Sequence, residues 1–377
     1  DMWRFIFFIN VPIGLLGIVL ASRILREQRR ERVPVFDWLG LVFSTIGFGS
    51  ALYAASIAAD DGWTSTKVLA FFAIGGVGLL IFTLIELFVA RDPLLDLRLF
   101  KRPVFLNATV VGYVSVVALF GAEFLLPLYL QTLRGKSALE TGVILLPLAL
   151  SSGVVVPLAG KLYDKVGARP LLVVGFGLLA INTWQFSQLT ADTSIGWILA
   201  LLAIRGVALG LTVQTTVVAA LSVVTKREYS RASSLSNATR QVVQSIGVAV
   251  LATILATALS AEIRQYQNTF LDQPRSSGST PIALCQPLPA SLQTPPSTTS
   301  APGGGLPPRQ LAALLQEACQ QSIKGYENAY KLTFYFALLA MALGALLPGW
   351  PFKWEGRTSR AEPSEASGAE PSIPIAD

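Results

Sequence analysis

Long apolar blocks separated by short polar gaps dominate the chain. Nine blocks lie at about residues 3–21, 38–58, 68–90, 104–131, 138–160, 170–189, 195–224, 233–259 and 329–348. A helix needs roughly 20 apolar residues to cross the hydrocarbon of a bilayer, and a backbone in lipid must satisfy its own hydrogen bonds. The pattern therefore predicts an all-α integral membrane protein with about nine transmembrane helices.

The gaps between blocks predict the orientation. Every second gap is rich in Lys and Arg, as in 23–32, 91–102, 161–169 and 226–231, whereas the gaps between them hold fewer basic residues. Cytoplasmic loops of membrane proteins carry an excess of Lys and Arg. We therefore expect a multi-pass protein of the plasma (inner) membrane, with the basic gaps and the C-terminus in the cytoplasm.

Composition narrows the function classes. Charged residues make up 14% of the 377 positions, against about a quarter in soluble proteins. The net charge of +6 does not indicate nucleic acid binding, because the basic residues cluster in the gaps. The sequence contains no His, which excludes a His-based catalytic triad, a His-ligated metal site and a His proton relay. We expect no enzymatic activity.

Two segments differ from the apolar blocks. Residues 260–328 are predicted to be an extracytoplasmic loop with a Pro/Ser/Thr-rich middle, followed by an amphipathic helix that leads into the last span. Cys285 and Cys319 both lie in this loop, so a disulfide and two free thiols are both open. The tail at 351–377 has the composition of a disordered cytoplasmic segment.

A short motif joins the fifth and sixth blocks. It runs from Gly160 to Pro170 and contains Asp164, Lys165, Gly167 and Arg169. Gly160 would allow two helices to approach closely, and Gly167 can adopt the positive φ of a tight turn. We expect these residues to form a cytoplasmic gating loop.

This motif resembles the G-x-x-x-D-[RK]-x-G-[RK] loop of the major facilitator superfamily, with Ala168 displacing the last basic residue to Arg169. Three other stretches, at 3–14, 124–147 and 232–249, resemble the sixth, ninth to tenth and thirteenth helices of fourteen-helix drug–proton antiporters of the EmrB/QacA type. The motifs follow the order found in that family.

The resemblance implies a major facilitator fold in which the nine spans are equivalent to helices six to fourteen. Residues 1–21 would be the last helix of the N-terminal half, and 22–102 an extra two-helix linker region with its cytoplasmic loops. Residues 103–259 would be the first five helices of the C-terminal six-helix half, and 329–350 its last helix. We expect the chain to be N-terminally truncated, without the helix-five antiporter motif.

Polar residues inside the spans are the candidates for substrate and proton binding, because charges in a bilayer are costly. On the fourth span a polar face recurs at helical spacing; it comprises Thr109, Tyr113, Phe120, Glu123, Pro127 and Gln131. We expect this face to line a cavity, with Glu123 as a protonatable carboxylate. The alternative, a carboxylate that only reaches water near the outer interface, stays open.

Two further spans carry polar candidates. Asn237, Gln241 and Gln244 share one face of the eighth span, where substrate contact and interhelical hydrogen bonding are equally open. Arg205 lies about ten residues into the seventh span and should face the bundle interior. Glu140 fits a capping box with Ser137, and Glu86 lies near a span end, where its carboxylate could reach water.

The resemblance implies proton-coupled efflux of drugs or metabolites by alternating access, driven by a proton gradient without a cofactor or metal. A wide cavity with Tyr113, Phe120 and Tyr129 would suit small amphipathic or cationic organic substrates. Two other hypotheses remain open at this stage: a non-transporting membrane scaffold or receptor, and an inactive fragment.

Overall fold

The computed structural model describes residues 8, 10–24, 37–89, 95–225, 228–259, 284–285 and 308–347. Within these ranges the chain forms nine α-helices: α1 (Asn10–Ile24), α2 (Trp38–Asp61), α3 (Thr66–Leu84), α4 (Pro103–Leu128), α5 (Ala138–Val166), α6 (Ala168–Phe186), α7 (Ile195–Leu221), α8 (Tyr229–Ala258) and α9 (Pro308–Gly344). Short π-helical segments follow α3 (Ile85–Val89) and α4 (Tyr129–Leu133), and a 3-10 turn covers Leu97–Lys101. The predicted all-α architecture is confirmed.

Six of the described helices, α2, α3, α4, α5, α7 and α8, are long and apolar enough to cross a membrane. Helix α1 is apolar but has only 15 residues. Each of the nine predicted apolar blocks overlaps one helix. That α1, α6 and α9 also cross the membrane stays a prediction.

Side-chain caps explain where several helices begin. Asp37, Ser65 and Ser194 accept hydrogen bonds from the backbone N–H groups three residues on, at 2.8, 3.3 and 3.3 Å. Such caps satisfy N–H groups that have no partner within the helix. At α5, Ser137 and Glu140 form the predicted capping box, which is thereby confirmed.

Helix α7 lies at the centre of the bundle and packs against α4, α5 and α6. Helix α9 packs against α4, α6 and α8, and the α2–α3 pair reaches the bundle through α2 and α8. The contact between α5 and α7 depends on Gly206, because a Cβ there would collide with Ser151 Oγ and the carbonyl oxygen of Leu148. Close helix approach at small residues is the usual way to pack helices in membranes.

The bundle has two chemically distinct ends. At the end that we call the basic end, Arg102 Nη2 lies 2.8 Å from Glu228 Oε1, and Arg102 Nη1 donates to the carbonyl oxygen of Val223 at 3.0 Å. At the opposite end, the disulfide end, Cys285 is joined to Cys319 of α9. The disulfide decides between the two alternatives that the sequence left open.

A short segment of the predicted outer loop is fixed at the disulfide end. The backbone N–H groups of Leu284 and Cys285 donate to the carbonyl oxygens of Thr132 and Leu133 at 3.0 and 3.3 Å. Leu284 is buried against Leu315 and Ala318 of α9. The segment therefore ties the end of α4 to α9 by hydrogen bonds, apolar contact and a covalent bond.

One predicted boundary falls within a continuous helix. Helix α9 runs without interruption from Pro308 to Gly344, so the division between an amphipathic loop helix and a last span at 328/329 falls inside one helix. Polar residues such as Gln321 and Lys324 interrupt the apolar pattern before the last block, but they do not interrupt the helix, because Gln and Lys are good helix formers. Most of the predicted loop 260–328 and the tail 351–377 lie outside the described residues.

The Glu86 carboxylate was expected to reach water, but the structure buries it. Glu86 is 2% exposed, and its Oε1 accepts a hydrogen bond from the backbone N–H of Leu95 at 3.1 Å. Leu95 and Leu99, just before and within the 3-10 turn, are themselves buried. The polypeptide folds back over the end of the π-helical segment, which the sequence pattern could not indicate.

Candidate functional site

The polar face of α4 opens into two separate clefts. The first, the Tyr113 cleft, is formed by α4, α7 and α8, and its polar lining residues are Thr109, Tyr113, Ser115, Thr216, Ser236 and Arg240. Tyr113 donates from its hydroxyl to Thr239 Oγ1 of α8 at 2.5 Å. Thr109 is 2% exposed, and its Oγ1 has no hydrogen-bond partner among the described residues. Part of the predicted stripe therefore does line a cavity.

The second cleft, the Glu123 cleft, lies between α4, α5 and α7. Its lining residues are Glu123, Leu126, Leu145, Leu148, Ala149, Leu202 and Arg205. The Glu123 side chain is exposed at this cleft and makes no hydrogen bond or ion pair with another residue that the structure describes. The site thus combines mostly apolar walls with one carboxylate and one guanidinium.

Arg205 faces the bundle interior, as the sequence predicted, and is fully buried. Its Nη2 donates to the carbonyl oxygens of Ala118 and Leu119 at 3.1 and 2.8 Å, and its Nη1 to Thr183 Oγ1 at 3.4 Å. Its Nε has no partner among the described residues. The guanidinium therefore connects α7 to α4 and α6 while one of its N–H groups remains unsatisfied.

Glu123 is electrostatically coupled to two arginines. Arg205 of α7 and Arg240 of α8 are the charged groups that act on its carboxylate. Neither arginine forms an ion pair within 4.0 Å with a described carboxylate. Glu123 and Arg205 were separate candidates in the sequence, and the structure places both at one cleft, within reach of the charge of Arg240.

The polar face of α8 is not part of either cleft. Asn237 and Gln241 are exposed and Gln244 is half-buried, and Asn237 Nδ2 reaches Ser233 Oγ on its own helix at 3.5 Å. Ser236 and Arg240, next to this face, are the described α8 residues that line the Tyr113 cleft. A role for the other three in substrate binding stays a prediction.

Tyr129 was predicted to line the cavity, and this is wrong. It is 1% exposed, its hydroxyl donates to the carbonyl oxygen of Thr190 at 2.5 Å, and its ring packs edge-on against Tyr326. Gln131 is half-buried and lines neither cleft. Both residues lie in the π-helical segment, where the face set by the preceding α-helix no longer continues. Phe120 lies within α4, but its side chain is not among those that the structure describes.

The predicted gating loop is mostly helix. Gly160, Asp164 and Lys165 lie within α5, which ends at Val166, and Gly167 alone separates α5 from α6. Gly167 has φ +80°, as predicted for a tight turn. The expected close approach at Gly160 is not found, because a Cβ there would meet nothing within 4 Å among the described residues. Charged residues ended the apolar block but did not end the helix. Arg169 is half-buried in the first turn of α6.

Sequence analysis missed three buried polar residues near Arg205. Asn182 and Thr183 of α6 are fully buried, and Asn182 Nδ2 donates to the carbonyl oxygen of Leu201 at 2.7 Å. Tyr330 of α9 is also fully buried, and its hydroxyl has no partner in the described part of the chain. The available signal was a pair of adjacent polar residues within the sixth apolar block.

Comparison with known proteins identifies the family. The family model described as Major Facilitator Superfamily matches residues 2–248. The chain is 36% identical over 252 residues to the uncharacterized MFS-type transporter YhcA of Bacillus subtilis, and this alignment covers 67% of this chain and 47% of YhcA. It is 28% identical over 271 residues to the lincomycin resistance protein LmrB of Listeria innocua, and this alignment covers 72% of this chain and 57% of LmrB.

Another relative is the multidrug resistance protein B homolog of Mycobacterium tuberculosis, which is 29% identical over 256 residues. This alignment covers 67% of this chain and 47% of that protein. The chain thus spans about half the length of the curated relatives it matches. A solved bacterial homolog of the human lysosomal transporter Spinster is 18% identical, with a TM-score of 0.45 and coverage of 80% of this chain and 65% of that one; a likeness at that level supports no argument. The family match extends over well more than half of the chain, from α1 to most of α8, and the protein is therefore a member of the major facilitator superfamily.

Proposed function

We propose that the chain belongs to a proton-coupled exporter of amphipathic drugs or metabolites that works by alternating access. The observation that supports this most directly is Glu123, a carboxylate within the α4 span that is exposed at a largely apolar cleft and has no partner among the described residues. Such a carboxylate can exchange a proton and contact a substrate in the same place. The names of the lincomycin resistance protein LmrB and of the multidrug resistance protein B homolog support the same class of substrate.

The proposed type is the fourteen-helix drug–proton antiporter, with the described helices equivalent to helices six to fourteen. The order of the sequence motifs and the separate α2–α3 pair, which contacts the bundle through α8, support this assignment. In the proposed topology the basic end faces the cytoplasm, since Arg98, Lys101, Arg102 and Arg231 lie there and cytoplasmic loops favour basic residues.

Transport is tested with the full-length protein in proteoliposomes. An imposed pH gradient should drive efflux of a fluorescent amphiphile, and Glu123→Gln should reduce the rate by at least about tenfold because the amide cannot bind and release a proton. The matched control is Glu317→Gln, an exposed carboxylate on α9, which should retain the rate. Full pH-driven efflux by the Glu123 variant, with unchanged helix content, would remove Glu123 from the mechanism.

A further inference from the structure

We propose that the Glu123 cleft binds amphipathic zwitterions, with the ligand's amine at Glu123, its acidic group at Arg205 and its apolar body on the leucine walls. This inference rests on the proposed function, because it names the substrate class of that same site. It departs from the expectation of a simple cationic substrate. Three independent observations support it.

The first observation is that two groups of opposite charge line the same cleft, and each keeps hydrogen-bonding capacity that the described residues do not use. Glu123 makes no hydrogen bond or ion pair with a described residue, and the fully buried Arg205 has an Nε without an acceptor in the described structure. A buried donor left unsatisfied destabilises the structure. A ligand oxygen at Arg205 would satisfy this donor, and a ligand ammonium would satisfy the carboxylate.

The second observation is the charge balance around the cleft. The positive charges of Arg205 and Arg240 both act on the Glu123 carboxylate, and Glu123 is the one acidic residue among the described residues that line the two clefts. A monocation would add to a local excess of positive charge in a region where charges are costly. An acidic group on the ligand cancels the charge that the amine brings, and the amine keeps the contact with Glu123.

The third observation concerns the walls. Leu126, Leu145, Leu148 and Leu202 surround the two charged groups, so the body of the ligand must be apolar. The tight contact of Gly206 with Leu148 and Ser151 holds α5 against α7, next to Arg205. The cleft is therefore largely formed before a ligand binds, which favours selectivity.

A matched set of three fluorescent ligands tests the proposal on the unmodified protein. Nε-dansyl-lysine carries an amine and a carboxylate, dansylcadaverine has the same skeleton without the carboxylate, and 6-(dansylamino)hexanoic acid lacks the amine. Binding is measured with the full chain in lipid nanodiscs, by energy transfer from tryptophan to dansyl, without a pH gradient. We expect the zwitterion to bind at least about tenfold more tightly than either analogue.

Variants assign each preference to its residue. In Glu123→Gln the zwitterion and the acid should bind with similar affinity, because the contact with the ligand's amine is lost. In Arg205→Lys the difference in affinity between the zwitterion and dansylcadaverine should become smaller, because Lys lacks the several fixed N–H donors of the guanidinium. Glu317→Gln, an exposed position on α9 that lines neither cleft, is the control and should leave both ratios unchanged. If Arg205→Lys fails to fold, the ligand series on the unmodified protein still decides.

The outcomes separate this inference from the proposed function. Equal affinities for the zwitterion and dansylcadaverine, as expected if a water molecule occupies Arg205 Nε, would overturn the inference even if a pH gradient drives dansylcadaverine efflux. A clear preference for the zwitterion without any pH-driven flux would support the ligand class and defeat the proposal of proton-coupled export.

Discussion

The two ends of the helix bundle are held together by different kinds of interaction. At the disulfide end, a covalent bond, two backbone hydrogen bonds from Leu284 and Cys285 and the buried ring of Tyr129 connect the end of α4 to its surroundings. At the basic end, Arg102 connects the start of α4 to the α7–α8 turn. It forms an ion pair with Glu228, in which the two side chains are 39% and 26% exposed, and donates a hydrogen bond to the carbonyl oxygen of Val223.

This difference determines how each end responds to its environment. Buried hydrogen bonds and a disulfide depend little on salt or on pH near neutrality, whereas an exposed ion pair is screened by salt and adds roughly 0–1 kcal/mol. The contacts at the basic end are therefore the easier ones to break. In an alternating-access cycle we expect this end of α4 to separate from its neighbours at lower cost than the disulfide end.

Removing the disulfide should have the largest effect on stability. The double variant Cys285→Ser/Cys319→Ser opens a loop of 34 residues, for which the loss is about 2–4 kcal/mol because the unfolded chain gains conformational freedom. The measurement is thermal unfolding in detergent micelles, followed by tryptophan fluorescence. A reducing agent should lower the unfolding midpoint of the unmodified protein and leave that of the double variant unchanged; equal midpoints for the two proteins would contradict the prediction.

Tyr129→Phe should have a smaller effect at the same end. The substitution keeps the buried ring but removes the hydroxyl, which donates to the carbonyl oxygen of Thr190 at 2.5 Å and accepts from Arg134 Nη1 at 3.4 Å. We expect a loss of about 0.5–1.5 kcal/mol in the same assay. Tyr335→Phe is the matched control, since Tyr335 is 63% exposed and its hydroxyl can be replaced without loss. Identical midpoints for the two variants would show that the Tyr129 hydroxyl adds nothing.

The sequence predicted the helices well because each is a long apolar block with recognisable starts. Ser137 and Glu140 identified the first turn of α5, and the charge of Arg205 within an apolar block was enough to predict an interior position. These features are local, since a cap involves residues three positions apart and the cost of a charge in lipid depends on depth alone.

The parts that failed depend on neighbours or on small changes of helical register. Helical spacing placed Gln131 on the polar face of α4, and Tyr129 was expected in the same cavity. Both residues follow Pro127, which lacks a backbone N–H, and lie in a π-helical segment that ends this period. The coupling of Glu123 to Arg205 and Arg240 joins residues of three different helices, α4, α7 and α8. No periodicity within one helix could have predicted it.

Replacing the carboxylate at the basic end should have the smallest effect, and the effect should depend on pH. Burial alone would raise the pKa of the Glu228 carboxyl, but hydrogen bonds from Thr225 and Arg102 outweigh it and lower the pKa below 4.5, the ordinary value. A lowered folded pKa means that the unfolded chain binds the proton more readily. The stabilisation is then complete above about pH 4.5 and is lost as the pH falls through the folded pKa.

Glu228→Gln should accordingly destabilise the protein by less than about 1 kcal/mol at pH 7, and the difference from the unmodified protein should shrink as the pH falls towards 3. Adding salt at pH 7 should reduce the same difference, because the pair is exposed enough to be screened. Asp61→Asn is a suitable control, since Asp61 and Lys67 are 3.9 Å apart and both well exposed. A difference that is independent of both pH and salt would mean that shape, rather than charge, connects α4 to the α7–α8 turn, and the contrast between the two ends would then disappear.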